Sequence, residues 1–181
     1  LMASAHMQKY GTTRKHLASV SVKNHYHASM NDKAQFPFEV TMEKVLESPV
    51  ISSPFTLFDA SPITDGAAAV VLSTEDSPRR GESPMDSRVS PPSRWTGSDV
   101  FITGSAVATD TVDLASRKSL LEIAATKIAS QKALKQAGVK ISDIKVAEVH
   151  DCFTIAEILA MEDLGFCKKG LGGEFVQKGH T

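Results

Sequence analysis

The sequence predicts a layered α/β fold. Two runs of apolar and β-branched residues, 99–108 and 144–149, have the composition of strands that are buried on both faces of a sheet. Between them, leucine, isoleucine and alanine recur at helical spacing over 120–137, and Gly138 follows as a helix stop. A strand, a helix and a second strand in this order predict a βαβ unit, in which the strands are parallel and the crossover is right-handed.

Composition narrows the class of protein. With 181 residues, of which 41% are hydrophobic, the chain is long enough to bury a core, as one domain or as part of a larger one. Lys and Arg total 20 against 21 for Asp and Glu, so the charge balance predicts neither a nucleic-acid partner nor an anionic membrane surface. The two cysteines, Cys152 and Cys167, have no regular spacing, which favours a reducing compartment over a disulfide scaffold. No apolar run approaches the roughly 20 residues of a transmembrane helix.

The first 54 residues are predicted to be helical and then irregular. One helix runs from Met2 to Tyr10 and ends at Gly11, and a second is capped by Thr12 or Thr13. Prolines then punctuate the chain, which indicates loops and short strands.

Four of the six histidines lie in this helical region, and a metal site is one hypothesis for them. They are His6, His16, His25 and His27. No cysteine or carboxylate completes a ligand set, so hydrogen-bonded or solvated histidines are the favoured interpretation. We therefore predict no metal.

Residues 67–73 are predicted to form a further buried strand. Turn residues precede it, and its three consecutive alanines indicate that another element packs closely on its backbone. A phosphate-binding turn at Asp65 and Gly66 is an alternative for the residues before it. Residues 74–98 are rich in proline, serine and arginine, with acidic residues that offset the arginines, and are predicted to be an exposed insertion.

The chemistry of the chain is concentrated between the strand at 144–149 and the helix that follows it. His150, Asp151 and Cys152 would lie at the carboxyl end of a strand and the amino end of a helix, where open α/β sheets place ligand sites. Exposed N–H groups at a helix amino end favour an anion such as a thiolate. Because side chains alternate along a strand, we expect His150 and Cys152 to share one cavity and Asp151 to point into the scaffold.

The sequence after this stretch contains signals for the start and the end of a helix. Thr154 and Glu157 have the spacing of a capping box, and Gly165 would end the helix. Residues 168–173 then form a lysine- and glycine-rich exposed loop. We interpret this loop as a turn, because it lacks the residue order of a phosphate-binding loop.

A cysteine at a helix amino end, two residues from a histidine, can act as a nucleophile or as a general acid and base. The alternative is that Cys152 has no chemical role and is a small hydrophobic side chain buried in the core. A cysteine hydrolase that uses Cys152 and His150 is disfavoured, because side chains two residues apart on a strand project in parallel.

The segment from His150 to Phe166, which begins H-D-C-F-T, resembles the thiolase superfamily. Within that superfamily it is similar to the sterol-carrier-protein type of 3-oxoacyl-CoA thiolase, in which H-D-C-F replaces N-E-A-F. Residues 10–25 resemble the end of the family's loop domain, and residues 59–72 resemble the last strand of its amino-terminal half. The resemblance covers most of the chain except 73–98, which looks like an insertion between the two halves.

The resemblance implies a thiolase-like layered α/β/α fold, of which this chain is an incomplete part. Residues 1–54 would belong to the helical loop domain, and residues 55–73 would contain the last strand of the amino-terminal half. Residues 74–98 would be the insertion, and residues 99–181 would begin the carboxy-terminal half.

The resemblance also implies an acyl-CoA acyltransferase that cleaves 3-oxoacyl-CoA with coenzyme A, or runs the reverse Claisen condensation, through a cysteine acyl-enzyme. His150 would donate a hydrogen bond to the thioester oxygen in an oxyanion hole. Cys152 would be the acid and base that moves the proton on the acetyl Cα, and Asp151 would be structural. The family's nucleophilic cysteine and its G-H-P histidine would lie before Leu1 and beyond Thr181.

The alternative is a non-catalytic thiolase-like chain that binds acyl-CoA or a partner subunit. In either case coenzyme A thioesters are substrates or ligands, and no resident cofactor is implied. We assign no residues to coenzyme A binding. The resemblance further implies a homodimer or homotetramer. For the compartment inside the cell, we favour mitochondria or peroxisomes over the cytosol. The charge balance and the lack of a long apolar run predict no nucleic-acid partner and no transmembrane segment.

Overall fold

The computed structural model describes residues 1–70, 72 and 100–181. The chain divides into two units, the first formed by Leu1–Pro62 with Thr103–Thr181 and the second by Ile63–Ile102. As far as it is described, the first unit is mostly helical with one two-stranded antiparallel sheet. Its helices are α1 (Met2–Tyr10), α2 (Arg14–Ser29), α3 (Met42–Leu46), α4 (Ala124–Ala137), α5 (Thr154–Leu164) and α6 (Gly172–Gln177). Its strands are β1 (Val50–Ser52) and β2 (Phe55–Thr56).

The two predicted amino-terminal helices are confirmed. Helix α1 ends at Gly11, which adopts the left-handed conformation with φ of 73°. Helix α2 begins after Thr13, whose hydroxyl oxygen accepts a hydrogen bond from the His16 N–H at 3.3 Å. These ends were predictable because a helix stop and a helix cap are local signals.

Helix α5 lies at the centre of the first unit. Nine of its eleven residues are buried, and it packs against α2, α4 and α6. The apolar cluster around it consists of Ala3, Leu17, Val20, Ile155, Ile158, Leu159, Ala160, Met161 and Val176. Since the removal of apolar surface from water is the main favourable term in folding, this cluster anchors the residues at the amino end of α5.

The predicted α/β sheet does not form within the described part of the chain. Residues 100–108 and 144–149 form no strand, and apolar side chains within them are exposed, with Val107 at 82% and Val146 at 80%. Among the described residues of the first unit, no other segment forms a strand ladder with either of them. A strand requires a neighbouring backbone that takes up its N–H and C=O groups, and apolar composition alone does not supply one.

The helix between these segments is also shorter than predicted. Helix α4 starts at Ala124 rather than near Leu120, because the Ile123 N–H donates to the Asp163 carboxylate at 2.7 Å and Ile123 becomes the capping residue. Its end at Gly138 is confirmed, with φ of 70°.

In the second unit, the described residues form neither helix nor strand. The described residues of the predicted strand at 67–73, which are 67–70 and 72, thus form no strand in this chain. Val70 and Phe101 are exposed there, at 81% and 59%. The predicted insertion at 74–98 lies outside the described residues.

The glycine-rich segment after α5 differs from prediction in part. Gly170 forms a turn with φ of 84°, but Gly172 and Gly173 are buried and begin helix α6 instead of an exposed loop. A Cβ atom at Gly172 would lie 2.5 Å from the Ile158 carbonyl oxygen, so only glycine allows α6 to approach α5 this closely. No helix in the part of the chain that the structure describes is long and apolar enough to cross a membrane.

Candidate active site

The His150-Asp151-Cys152 stretch lies at the amino end of α5, as predicted. Phe153 is the capping residue, with extended backbone angles of −138° and 149°, and Thr154 is the first helical residue. His150 is exposed, whereas Asp151 and Cys152 are half-buried. The stretch is thus open to solvent on one side and attached to the most buried helix on the other.

The capping box predicted for this helix is wrong. Because Thr154 lies inside the helix and not at its cap, its hydroxyl group is directed elsewhere and donates to Asp59 Oδ1 at 2.9 Å. Glu157 is 2% exposed and accepts a hydrogen bond from Lys23 Nζ at 2.6 Å. Both side chains therefore bind other segments of the chain and leave the amino end of α5 without a side-chain cap.

The segment at 59–61 fixes the backbone of the stretch. The Ser61 N–H donates to the Cys152 carbonyl oxygen at 3.0 Å, and Ala60 forms an isolated antiparallel bridge with Phe153. The Phe153 ring stacks on Phe55, with 5.2 Å between ring centroids and 23° between planes. The backbone at Cys152 is thus held by the backbone directly after Asp59.

Helix α2 contacts the stretch from a second side, through polar groups. Asn24 Nδ2 donates to Asp151 Oδ2, and it lies 3.4 Å from Glu157 Oε2. Lys23 supplies the positive charge that balances Glu157, at 2.6 Å. The Asp151 side chain is therefore bonded to α2.

A cavity of about 760 Å³ lies beside the polar side chains of α2, Asp151 and Glu157. Its walls include Lys23, Val149, Asp151 and Glu157, together with apolar side chains of α5 and of the residues after it. His150 and Cys152 are not among the described residues that line it. A cavity shared by these two side chains therefore stays a prediction.

The second cysteine has a different environment. Burial raises the pKa of the Cys167 thiol to about 11, and the negative charge of Glu162 adds to the increase. At neutral pH, Cys167 is a neutral thiol and a poor nucleophile.

Three of the four histidines of the amino-terminal region, His6, His16 and His25, form hydrogen bonds. His6 is fully buried, with Nδ1 2.7 Å from Thr12 Oγ1 and Nε2 3.1 Å from Glu162 Oε2. His16 accepts from the Thr13 N–H at 3.2 Å. Among the residues that the structure describes, no group of three potential ligands is placed to hold a metal ion.

The residues that support the stretch were not predictable from local sequence patterns. Asp59 and Thr154 are 95 positions apart, and Asn24 and Asp151 are 127 positions apart. No local spacing pattern relates residues at these separations. The one available signal was the resemblance of the segments around them to a single family.

Known proteins match this chain over most of its length, and a family model matches its carboxy-terminal part. Residues 106–181 match the family described as thiolase C-terminal domain-like. The chain is 45% identical over 181 residues to the acetyl-CoA acetyltransferase of Methanothermobacter thermautotrophicus, covering all of this chain and 44% of that protein. It is 32% identical over 177 residues to sterol carrier protein 2 of Gallus gallus, covering 96% of this chain and 30% of that protein.

A solved structure also matches. The chain superposes on the Ltp2-ChsH2(DUF35) aldolase with a TM-score of 0.78 and 26% identity, covering 98% of this chain and 44% of that one. The chain thus spans less than half the length of these relatives. The matches to the carboxy-terminal family and to the acetyltransferase agree with the H-D-C-F motif, and the chain is similar to proteins of the thiolase superfamily over most of its length.

Proposed function

We propose that the protein that contains this chain is a thiolase of the sterol-carrier-protein type, an acyl-CoA acyltransferase. It cleaves 3-oxoacyl-CoA with coenzyme A or runs the reverse Claisen condensation. The observation that carries the proposal is the 45% identity of the whole chain to an acetyl-CoA acetyltransferase. The position of His150, Asp151 and Cys152 at the amino end of a buried helix supports it.

In this proposal three residues have distinct roles. His150 donates a hydrogen bond to the thioester oxygen of the substrate, as part of an oxyanion hole. Cys152 is the acid and base at the acetyl Cα. Asp151 is structural, and its hydrogen bond from Asn24 is the contact through which it ties the stretch to α2.

The proposed reaction balances as two half-reactions. A nucleophilic cysteine outside this chain, as its thiolate, adds to the 3-oxo carbon and forms the acyl-sulfur bond, and the bond between C2 and C3 breaks. Its electron pair passes into an enolate whose oxygen accepts the hydrogen bond from His150. Cys152 gives its proton to C2, which completes acetyl-CoA. The Cys152 thiolate then takes the proton of the incoming coenzyme A thiol as the coenzyme A sulfur attacks the acyl-enzyme, and the nucleophilic cysteine leaves as its thiolate, which releases the shortened acyl-CoA.

The test is thiolysis of acetoacetyl-CoA by the full-length product of the gene, compared with single variants. We expect Cys152→Ala to lower kcat by about 10²- to 10⁴-fold, because a positioned acid and base is lost. We expect His150→Ala to lower kcat by about 10²- to 10³-fold, because one oxyanion donor is lost. Formation of acetyl-CoA is the measurement.

Cys167→Ala is the matched control, since it removes the other cysteine of the chain from a half-buried site after the same helix. It should keep most of the parent's turnover. An active parent whose Cys152→Ala variant is equally active would refute the proposed role of Cys152. An inactive parent that still binds coenzyme A would favour the alternative, a non-catalytic acyl-CoA or partner-binding module.

The match to a structure named as an aldolase suggests a second candidate function. Retro-aldol cleavage of a 3-hydroxyacyl-CoA also breaks the bond between C2 and C3 and leaves an enolate, but the other product leaves as a carbonyl compound and needs no acyl-enzyme. Coenzyme A dependence separates the two reactions. Cleavage of 3-oxoacyl-CoA that requires free coenzyme A supports the thiolase, and cleavage of 3-hydroxyacyl-CoA without it supports the aldolase.

We also propose the domain assignment and assembly that the family implies. Residues 1–54 belong to the loop domain, 55–73 contain the last strand of the amino-terminal half, 74–98 form an exposed insertion, and 99–181 begin the carboxy-terminal half. The protein is a homodimer or homotetramer in mitochondria or peroxisomes. Light scattering of the full-length protein and imaging of a tagged copy test these two statements.

A further inference from the structure

The Asp59 carboxylate is the most heavily bonded acidic group near the candidate active site. It is 1% exposed, and Oδ2 accepts hydrogen bonds from Arg14 Nη1 at 2.6 Å and from the Thr56 N–H at 2.8 Å. Its second oxygen, Oδ1, accepts the hydroxyl proton of Thr154 at 2.9 Å. A buried carboxylate with these partners is held in one orientation, since each displaced donor would leave a desolvated charge without a partner.

Two hydrogen bonds connect the neighbourhood of the Asp59 carboxylate with the backbone around Cys152. Thr154 is two residues after Cys152 and is the first residue of α5. Ser61 is two residues after Asp59, and its N–H donates to the Cys152 carbonyl oxygen at 3.0 Å. The segment 59–61 is thus bonded to the segment 152–154 at both of its ends.

We propose that Asp59 is a positioning residue for Cys152 and acts through Thr154. The carboxylate fixes the entry of the chain into α5, and the neighbouring backbone bond from Ser61 fixes the carbonyl group of Cys152. Together they set where the thiol lies relative to the amino end of the helix. This inference rests on the proposed function for its catalytic consequence, but the position of the thiol is measurable without turnover.

The charge of Arg14 explains why an acidic residue can be buried at this place. Its guanidinium group reaches Asp59 from α2 and also lies 3.1 Å from Thr56 Oγ1. Arg14 is partly exposed, with 27% of its side-chain surface accessible, whereas the Asp59 side chain is fully covered. The pair therefore joins α2 to the turn that carries Asp59, and Thr154 extends the connection to α5.

The test uses the full-length protein with three variants at the proposed connection. Thr154→Val keeps the branched shape but removes the hydroxyl, Thr154→Ser keeps the hydroxyl, and Asp59→Asn keeps the size but removes the charge. Thr12→Val is the matched control, because Thr12 is also a buried threonine whose hydroxyl group bonds to a partner, His6, at 2.7 Å. The Thr12–His6 hydrogen bond belongs with Glu162 and is not one of the contacts that connect Asp59 and Ser61 with the segment around Cys152.

Two readouts are measured, together with the midpoint of thermal unfolding. The first is the rate at which iodoacetamide alkylates Cys152, followed by mass spectrometry of the peptide that contains it. We expect this rate to change about threefold or more in Thr154→Val and Asp59→Asn, because thiol reactivity depends on local field and access. The second is thiolysis, in which kcat should fall about 10- to 100-fold in the same variants while KM stays within about twofold.

Thr154→Ser should restore both readouts, and Thr12→Val should lower the unfolding midpoint without moving either. The inference is overturned if folded Thr154→Val and Asp59→Asn alkylate Cys152 at the parent's rate. It is also overturned if Thr12→Val changes the rate as much as they do, since the effect would then be general destabilisation. An inactive parent would refute the proposed function, whereas the alkylation rates would still decide the positioning role.

Discussion

Glu162 is a buried carboxylate that three groups of the chain stabilise. Its Oε2 lies 3.1 Å from His6 Nε2 and 3.6 Å from Lys169 Nζ, and its Oε1 accepts the Gly172 N–H at 2.9 Å. Burial is the largest single influence and raises the pKa of the Glu162 carboxyl. The hydrogen bonds from His6 and Gly172 and the charge of His6 together outweigh burial, so the pKa is lowered from its ordinary value.

The lowered pKa of Glu162 predicts that acid destabilises the protein at this residue. A carboxyl whose pKa is lower in the folded than in the unfolded state contributes stability that is fully present above the unfolded pKa. That contribution is lost as the pH falls through the folded pKa. We therefore expect Glu162→Gln to be less stable than the parent at pH 7, and the difference to narrow below about pH 4.

Urea unfolding of both proteins at several pH values measures this difference in the free energy of unfolding. Glu39→Gln, which alters an exposed carboxylate, is the control and should unfold like the parent at each pH. A gap between Glu162→Gln and the parent that stays constant from neutral pH into the acid range would contradict the account.

At the residue scale, the place of the candidate site was predictable but its supporting contacts were not. The location of Cys152 before a helix follows from the local helix pattern and the stop at Gly165. The capping box was mispredicted because the spacing of Thr154 and Glu157 cannot reveal that buried Asp59 and Lys23 compete for these side chains. Local spacing describes neighbours in sequence, whereas burial creates partners at long range.

At the element scale, the contact between α6 and α5 depends on glycine. A Cβ atom at Gly172 would lie 2.5 Å from the Ile158 carbonyl oxygen and 2.9 Å from Glu162 Oε1. The carbonyl belongs to helix backbone and cannot rotate away. Helix α6 would have to move outward and take Val176, which is 4% exposed, away from the core.

We therefore expect Gly172→Ala to lower the free energy of unfolding by about 1–3 kcal/mol, the usual cost of overpacking. Chemical denaturation of the variant and the parent is the measurement. Gly66→Ala is the control, since an added Cβ there meets no atom within 4 Å. Equal stability of Gly172→Ala and the parent would mean that α6 can shift without loss of packing.

Elements with local end signals were predictable, and elements that need distant partners were not. Helices α1, α2 and α5 have caps or stops in their own sequence, and these helices form where the pattern places them. The segments 100–108 and 144–149 have strand composition but no strand ladder. Sheet pairing depends on residues far away in sequence, so composition indicates only what a segment could form.

At the scale of the whole molecule, the exposure of these apolar segments is the main feature to explain. Val107 and Val146 are exposed by 82% and 80%, although β-branched apolar residues at this density normally lie in a buried sheet. The chain covers 44% of the acetyltransferase that it matches. We expect the remaining residues of the full-length gene product to supply the neighbouring strands.

This expectation predicts a change in hydrogen exchange between two forms of the protein. In residues 1–181 alone, amides of 103–108 and 144–149 should exchange quickly, because no strand ladder covers them, while those of α5 exchange slowly. In the full-length protein, the two segments should become protected, and α5 should stay protected. Exchange followed by mass spectrometry of both forms measures this. If the two segments exchange quickly in the full-length protein as well, they are loops, and the predicted α/β layer does not include them.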